Sequence, residues 1–345
     1  MAEIIRVLVI DDSAFVRKVL RQMLSRSPFL EVVGAARDGA EALEMVEQLN
    51  PDVVTLDLNM PRGDGLTFLR TQMAKRALPI IVVSMASKDG QQVIDALEAG
   101  AVDVIQKPTG LASDKLLEIG EDLVSKVKIA ASARVKKPNT ESEQESTLEK
   151  ITSQHSNIDI VLIGISTGGP QALKYLIPRL PKTLPVPIAI VLHMPHGYTE
   201  LFARSLNDVS ELDVREAHEG VVLAPGQVLL APAGYHMTFV RQANGTVVTH
   251  FDVTPMDTPH RPAADVLFQS AAEIYGERTL AIVMTGMGSD GTKGAAWIKA
   301  RGGRVLAEAE ESCIVYGMPR SVVEAGLCDK SVPLARMART IVEAL

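Results

Sequence analysis

The sequence predicts two α/β domains joined by a polar linker, and three observations support this prediction. Over the first 122 residues, short apolar runs rich in β-branched residues alternate with helix-like stretches. The segment 134–150 then contains only two apolar residues, Val135 and Leu148, among its 17, too few to offset the entropy of ordering it. Beyond this segment the alternation resumes. We therefore expect domains at 1–122 and 156–345, separated by an interdomain linker at 123–155.

The first domain contains five predicted strands, each followed by a predicted helix. The strands are RVLVI, EVVGAA, DVVTLD, PIIVVS and VDVIQ. Ser13 is a suitable N-cap for a helix from Ala14 to Arg26, and further helices begin near Ala40, Gly65, Gln91 and Ser113. Because crossover connections of this kind join parallel strands, the pattern predicts a (βα)5 domain with a parallel sheet and helices on both faces.

The second domain repeats the alternation with one interruption. IDIVLIG, VPIAIVL and RTLAIVMTG are predicted strands, and Pro170 lies where an N1 proline begins a helix. Between the second and third of these strands, MTFVRQ and TVVTHF flank Asn244-Gly245, a typical hairpin turn. A glycine-rich loop and a helix from Thr292 follow the third strand. We therefore expect a doubly wound, mainly parallel α/β domain with a β-hairpin.

Composition excludes several classes of protein. The net charge of −7 argues against a general nucleic-acid binder. No apolar run approaches the ~18 residues that span a bilayer, and the acidic start MAEIIRVLVIDD does not resemble a signal peptide. Two cysteines cannot form a disulfide framework. We expect a cytoplasmic monomer that does not insert into a membrane.

Polar side chains follow the strands of the first domain at the points where those strands end. Asp11 and Asp12 follow the first strand, Asp57 ends the third, Ser84 ends the fourth and Lys107 follows the fifth. In a parallel sheet these positions share one edge, where crowded carboxylates suit Mg²⁺. A carboxylate there can act as nucleophile and form an aspartyl phosphate. Each residue alone would be an ordinary loop residue, but the set of five indicates a phosphoryl site.

These residues resemble the receiver domain of two-component response regulators, a flavodoxin-like fold. The similar strings are VIDDS, TLDLNMPRGDG, VSMAS and QKP, within about residues 4–122. The resemblance implies phosphorylation of Asp57 by a histidine kinase, with Ser84 and Lys107 binding the phosphoryl group. It implies that Mg²⁺ is held by Asp11, Asp12, Asp57 and the main chain of Asn59, and that the Lys107-Pro108 bond is cis.

The sequence departs from the receiver pattern in two places. Val104 and Ile105 occupy the strand that often carries an aromatic switch residue, and Gly63 stands where relatives often have a larger residue. The phosphorylation chemistry is unaffected by either change. The aromatic half of the usual switch is missing.

A second group of residues points to serine chemistry. Gly164-Ile165-Ser166-Thr167-Gly168 follows a strand directly, the context that a nucleophile elbow requires. His193 follows the next strand, and Asp290 lies in a glycine-rich loop after RTLAIVMTG, so all three belong to one sheet edge. Their chain order, Ser-His-Asp, differs from that of α/β-hydrolases, so only the roles carry over and not that fold.

Three other interpretations remain open from the residues alone. GISTGG could hold phosphate at a helix N-terminus, although no acid follows at the usual spacing and no Gly-Lys-Ser/Thr is present. His193 and His196 could bind zinc, although Pro195 interrupts them and no third ligand is evident. Asp290 could simply form a turn. The pattern favours a serine hydrolase over phosphate binding.

The second domain is similar to the catalytic domain of the CheB family of chemotaxis protein-glutamate methylesterases. The similar strings are GISTGGPQAL, LHMPHGYTELFARSLN, HRPAADVLF, TGMGSDG and SCIVYGMPR, in that order. The resemblance implies that Ser166 is the nucleophile, His193 the general base and acid, and Asp290 the orienting carboxylate. It implies that Met287 offers its main-chain N–H to the oxyanion and that Thr167 is the hydroxyl residue after the nucleophile. Ile165 replaces the alanine usual in this motif.

Together the two resemblances imply a phosphorylation-activated enzyme. It would remove methyl esters from glutamate side chains of chemoreceptors, release methanol, deamidate certain receptor glutamines, and need no cofactor for the ester chemistry. Phosphorylation would act by weakening an inhibitory packing of the receiver domain, since a ligand shifts an equilibrium only through its differential affinity. The alternative is a catalytically inactive module that docks on receptors. A DNA-binding output fails because no basic helix-turn-helix follows the linker.

Overall fold

The computed structural model describes residues 4–60, 65–84, 90–107, 113–133 and 157–345. The chain divides into two compact units, with the division after Glu141. Each unit is an α/β body built on its own sheet. In the described parts of the chain, no helix combines the length and the apolar character that a bilayer crossing requires.

The first unit is a five-stranded parallel sheet in the order β2-β1-β3-β4-β5. Its helices contact one another in two groups, α1 with α5 and α2 through α4, as expected for layers on opposite faces. The (βα)5 prediction is confirmed. The elements are β1 (Ile5–Ile10), α1 (Ala14–Leu24), β2 (Leu30–Ala36), α2 (Gly39–Leu49), β3 (Val53–Leu56), α3 (Gly65–Lys75), β4 (Ile80–Ser84), α4 (Gly90–Glu98), β5 (Asp103–Gln106) and α5 (Ser113–Ala131).

Local sequence signals account for the element ends. The Ser13 hydroxyl accepts a hydrogen bond from the Val16 N–H and caps α1, as predicted. Asp38 caps the start of α2 in the same way, and Asn50 caps its end in the left-handed region, with a φ of 43°. Strands β3 and β4 are buried along their whole length, because helices cover both faces of the sheet.

Helix α5 extends beyond residue 122, the predicted end of the first domain. It continues to Ala131, and Leu123, Val127 and Ala130 are buried. These apolar residues recur at helical spacing, so they form a face that packs inward. Residues 123–131 are therefore helical, and the remainder of the polar linker, from 134 to 155, lies outside the described residues.

The second unit is a seven-stranded parallel sheet in the order β14-β13-β12-β6-β7-β9-β8, with a separate antiparallel hairpin, β10-β11. The prediction of a mainly parallel domain with a β-hairpin is confirmed. The elements are β6 (Ile160–Ile165), α6 (Gly169–Leu176), β7 (Ile188–Leu192), α7 (Thr199–Asn207), β8 (Asp213–Glu216), β9 (Gln227–Leu230), β10 (His236–Arg241), β11 (Val247–Asp252), α8 (Ala264–Tyr275), β12 (Thr279–Val283), α9 (Thr292–Ala300), β13 (Arg304–Glu308), α10 (Met318–Glu324), β14 (Lys330–Val332) and α11 (Leu334–Ala344).

The strand order reverses at β6, which pairs with β7 on one side and with β12 on the other. Such a reversal opens a crevice outside the carboxyl ends of the strands, where parallel sheets bind ligands. Leu267, Phe268 and Ala271 of α8 are fully buried in the core beside β6 and β12. The core therefore holds the ends of these three strands together at one edge.

Candidate functional site

The carboxylates of the first unit surround one lysine at the carboxyl edge of the sheet. Asp11 follows β1, Asp57 follows β3 and Lys107 follows β5. The Lys107 Nζ lies 2.9 Å from Asp11 Oδ2 and 2.6 Å from Asp57 Oδ2. Both carboxylates are buried, with 0% and 1% of their surface exposed. Three strand ends separated in sequence therefore form a single charged cluster.

Burial and charge shift the proton affinities of this cluster. Burial raises the pKa of Asp57 to about 6, although the hydrogen bond and the charge of Lys107 oppose the shift. Burial also raises the pKa of Asp11 above its ordinary value. For Lys107, burial acts to lower the pKa, but the bond to Asp57 and the charges of both aspartates outweigh it, and the pKa is raised.

The cluster suits a hard divalent cation. Oxygens of Asp11, Asp12 and Asp57 lie within 4.8 Å of one another, and Asp12 is exposed at the surface. The other oxygens of the two buried carboxylates are occupied, since Asp11 Oδ1 accepts from the Ser13 N–H and Asp57 Oδ1 accepts from the Asn59 N–H. Three carboxylates beside one lysine leave a net negative charge, and oxygen donors are what Mg²⁺ prefers, so these residues fit the ion.

Of the other positions that carry the resemblance to receiver domains, Ser84 lies within the described residues. Ser84 is the last residue of β4, is fully buried, and accepts at its carbonyl a hydrogen bond of 2.8 Å from the Lys107 N–H. This contact places it beside the cluster. The Lys107-Pro108 bond and Gly63 lie outside the described residues.

In the second unit, Ser166 lies on a tight turn between β6 and α6. The turn closes with a hydrogen bond of 2.7 Å from the Gly169 N–H to the Ser166 carbonyl. Gly168 has a φ of +78°, a conformation that favours glycine. A Cβ on Gly164 would lie 2.7 Å from the Ala264 Cβ, so this glycine permits the start of α8 to approach. Both glycines of G-x-S-x-G are therefore required, for different reasons.

His193 follows β7 directly and pairs with the predicted acid. Its Nε2 lies 2.8 Å from Asp290 Oδ2, with only 8% and 11% of the two side chains exposed. An ionised carboxylate accepts but cannot donate, so Nε2 carries the proton and Nδ1 holds the lone pair. Nδ1 is buried and has no hydrogen-bond partner among the described residues. It is the ring nitrogen left free to accept a proton.

Asp290 is anchored by three backbone donors. Its Oδ2 accepts from the Ala264 N–H at 2.7 Å, and its Oδ1 accepts from Asp265 at 2.9 Å and from Gly291 at 3.0 Å. Ala264 begins α8, so the carboxylate lies against the positive end of a helix. Burial acts to raise the pKa of Asp290, but the bonds from His193 and the backbone outweigh it, and the pKa is lowered. Asp290 is thus held as a charged, oriented partner of His193 rather than a simple turn residue.

Hydrogen bonds between the loops bring the three residues to one edge. The His193 N–H donates to Ile165 at 3.1 Å, and the Ser166 N–H donates to Thr285 at 3.0 Å. A Cβ on Gly286 would lie 2.8 Å from the Ser166 Cβ, so the loop that carries Met287 packs against the serine. Thr167 is buried, and its carbonyl accepts from the Thr285 hydroxyl at 3.0 Å. All five residues predicted for the ester chemistry therefore lie on adjoining loops.

The zinc interpretation gains no support from the geometry. Within the described ranges, the group of three or more acidic, histidine or cysteine side chains close enough to share an ion is that of Asp11, Asp12 and Asp57. His193 instead binds Asp290, and His196 is exposed. The histidine that follows β7 is therefore paired with a carboxylate and not with other possible zinc ligands.

One contact was missed by sequence reasoning. The ring of His260 stacks on His193, with centroids 4.2 Å apart and an interplanar angle of 28°. His260 belongs to HRPAADVLF, a string that carried the family resemblance but suggested no role for its histidine. Because the two histidines are far apart in sequence, no local spacing could have revealed the stacking.

Comparisons with known proteins agree with this geometry. The family model described as "CheB methylesterase" matches residues 161–341, and "Response regulator receiver domain" matches residues 7–119. A protein-glutamate methylesterase/protein-glutamine glutaminase of Myxococcus xanthus is 48% identical over 96% of each chain. Another from Pyrococcus abyssi is 42% identical over 99% of this chain and 94% of its own.

A solved structure resembles the second unit. The catalytic domain of Thermotoga maritima CheB methylesterase superimposes with a TM-score of 0.53 and 45% identity, over 55% of this chain and 99% of that one. The matched families cover both units in the order predicted from the motifs. The chain therefore belongs to the CheB methylesterase family and carries a response regulator receiver domain before its methylesterase domain.

Proposed function

We propose that this protein is a phosphorylation-activated serine hydrolase that removes methyl esters from glutamate side chains of chemoreceptors, and that it also deamidates receptor glutamines. The observation that carries the proposal is the buried 2.8 Å pair of His193 Nε2 and Asp290 Oδ2 beside the Ser166 turn. Relatives named protein-glutamate methylesterase/protein-glutamine glutaminase support the substrate class. Membership of the family does not by itself require an intact base and orienting acid. The geometry of His193 and Asp290 therefore supports the proposal independently of the relatives.

The residues account for the ester chemistry in two stages. Ser166 Oγ attacks the ester carbonyl while His193 Nδ1 takes its proton, and Asp290 stabilises the imidazolium that forms. The Met287 N–H donates to the developing oxyanion. The imidazolium then protonates the methoxide as it leaves, so methanol departs and a glutamyl ester of Ser166 remains.

The second stage returns the enzyme to its starting state. His193 takes a proton from water, the hydroxide adds to the acyl carbonyl, and the proton passes to Ser166 Oγ as the acyl bond breaks. The product is a glutamate carboxylate. With glutamine as substrate the same steps release ammonia instead of methanol.

In the receiver domain, Asp57 is the proposed phospho-acceptor and a histidine kinase the proposed phosphodonor. Asp11, Asp12, Asp57 and the main chain of Asn59 would hold Mg²⁺, which when bound neutralises charge on the incoming phosphoryl group. Lys107 and Ser84 would bind phosphoryl oxygens. A buried carboxylate with a pKa of about 6 is still mostly ionised at pH 7 and so remains nucleophilic.

The proposed partners are chemoreceptors as substrate and a chemotaxis kinase as phosphodonor, both met on the cytoplasmic side by a monomeric enzyme. The alternative, an inactive docking module, would have no need of a buried His193–Asp290 pair held by three backbone N–H groups. The His193–Asp290 hydrogen bond and the three backbone donors to Asp290 support the proposal of a catalytic base. An active enzyme is the better explanation of the site.

Methanol release from methylated receptor membranes, measured with and without a small phosphodonor, tests the proposal. Ser166→Ala should abolish release, typically by several powers of ten, while leaving phosphorylation intact. The matched control is Ser331→Ala, which removes an exposed hydroxyl on β14 and should keep the wild-type rate. Near-normal release by the Ser166 variant would reject the assignment of the nucleophile.

A further inference from the structure

Glu308 is a fully buried carboxyl group for which the proposed mechanism has no use. It is the last residue of β13 and has 0% of its surface exposed. Its Oε2 accepts from the Thr285 N–H at 2.9 Å, and its Oε1 accepts from the Ser312 hydroxyl at 3.0 Å. Burying a carboxyl group costs free energy unless hydrogen bonds compensate for the lost water. The position of Thr285 indicates what the hydrogen bond to Oε2 does.

The Thr285 N–H lies just beyond the end of a strand ladder. Pairing between β12 and β13 stops at Val283 with Ala307, so no neighbouring strand carbonyl continues the ladder to Thr285. Thr285 is itself 1% exposed, so water cannot replace the missing partner. An unpaired buried N–H costs about 1–3 kcal/mol. The side chain of Glu308 supplies the acceptor that the sheet no longer provides.

Thr285 makes two hydrogen bonds to the tight turn that carries Ser166. Its carbonyl accepts from the Ser166 N–H at 3.0 Å, and its hydroxyl donates to the Thr167 carbonyl at 3.0 Å. The same hydroxyl accepts from the Val315 N–H at 3.0 Å. Thr285 also begins the loop that carries Met287. Its position therefore determines both the serine turn and the proposed oxyanion donor.

We propose that Glu308 is a positioning residue for the esterase: through the Thr285 N–H, its acceptor oxygen sets Ser166 against the Met287 N–H. The inference rests on the proposed roles of Ser166 and Met287. The oxygen at the Oε2 position is required, and the negative charge is not. Glu308 touches no reacting atom and acts only through Thr285.

The test compares three substitutions of Glu308 in the full-length protein, with kcat and KM for methanol release as readouts. Glu308→Gln keeps an acceptor for Thr285 and should retain the wild-type kcat. Glu308→Leu keeps a side chain of roughly similar size but removes the acceptor. A shift of about 1 Å in a catalytic group costs ~100-fold in rate, so kcat should fall by about that factor with KM unchanged. Glu308→Asp draws the oxygen back by one methylene and should fall below Gln.

Ser312→Ala is the matched control. It removes the hydrogen bond to Glu308 Oε1 and an acceptor for the Leu334 N–H, while the Thr285 contact remains. It should lower the melting temperature without lowering kcat. A merely structural carboxyl would show the opposite pattern, with kcat following the loss of stability in every variant.

The outcomes separate cleanly. A folded Glu308→Leu variant with the wild-type kcat overturns the inference, and so does a Gln variant as slow as Leu, which would show that the charge is what counts. If the Leu variant does not fold, the remaining pair decides, since Asp equal to or faster than Gln overturns the inference. Release of methanol by Ser166→Ala would instead reject the proposed nucleophile, independently of Glu308.

Discussion

Replacing Asp290 by asparagine should inactivate the esterase while leaving its fold intact. The side chain of Asp290 serves four donors: Oδ2 faces His193 Nε2 and the Ala264 N–H, and Oδ1 faces the N–H groups of Asp265 and Gly291. An asparagine has one acceptor oxygen and one NH₂ group, so the donor NH₂ group must replace either Oδ1 or Oδ2. The structure indicates which position that is.

Placing the NH₂ group at the Oδ1 position would leave two backbone N–H groups without an acceptor. Placing it at Oδ2 leaves only that of Ala264, because the imidazole can adapt by moving its proton from Nε2 to Nδ1. Each orphaned buried N–H costs about 1–3 kcal/mol, so the second orientation is favoured. It puts a proton on the nitrogen that must accept one from Ser166. His193 is then held in the wrong tautomer.

The expected loss is about 10⁴-fold in kcat, the size seen when a triad aspartate of another serine hydrolase becomes asparagine, and equal to ~5 kcal/mol of barrier. The assay is initial methanol release from methylated receptor membranes under saturating phosphodonor. ¹⁵N chemical shifts of the His193 ring would report the tautomer directly. A kcat within tenfold of the wild type, or a ring still protonated at Nε2, would refute the reasoning.

The control for this experiment is Asp265→Asn, the same change at a neighbouring partly buried carboxyl. Asp265 Oδ1 accepts from the Gly294 N–H at 2.8 Å, a bond that an amide oxygen can also accept. The carboxylate that pairs with His193 is that of Asp290, not that of Asp265. The kcat of this variant should therefore fall far less than that of Asp290→Asn.

Three further predictions concern the receiver domain, the stacked histidine and regulation. Asp57→Asn should abolish Mg²⁺-dependent phosphorylation, measured by mass spectrometry. Burial raises the pKa of Asp57 to about 6, so ionisation of this carboxyl destabilises the folded receiver as pH rises from about 4 through 6. Without divalent ions, the Asp57→Asn variant should therefore have a higher melting temperature than the wild type at pH 8. This difference in melting temperature should vanish near pH 4. His260→Ala should lower kcat up to about tenfold, since ring stacking contributes ~0.5–1.5 kcal/mol. His260→Phe keeps a ring for stacking and should lose less kcat than His260→Ala. The fragment 156–345 should release methanol faster than the unphosphorylated full chain and ignore phosphodonor; a fragment no faster would show that the receiver activates rather than restrains the esterase.

Much of the fold follows from local properties of the sequence. Runs such as IIVVS are apolar without alternation because both faces of the strand are covered, and the structure places them as central parallel strands. The Ser13 cap and the Asn244-Gly245 hairpin are short-range signals, and both are confirmed. The length of α5 was underestimated because its buried face extends into a segment whose composition becomes polar only gradually.

The sequence by itself also predicted the residues of the candidate site, because parallel strands bring their carboxyl ends to one edge of a sheet and the motifs mark those ends. What only the tertiary structure decided is how these residues engage. That Asp290 binds Nε2 of His193, and leaves Nδ1 free, depends on where the first turn of α8 delivers its N–H groups. The stacking of His260 on His193 and the hydrogen bond from the Thr285 N–H to Glu308 likewise join separate segments of the chain. Spacing along a sequence encodes strand ends and helix faces, whereas hydrogen-bond partners between separate loops are set by the packing of the whole sheet.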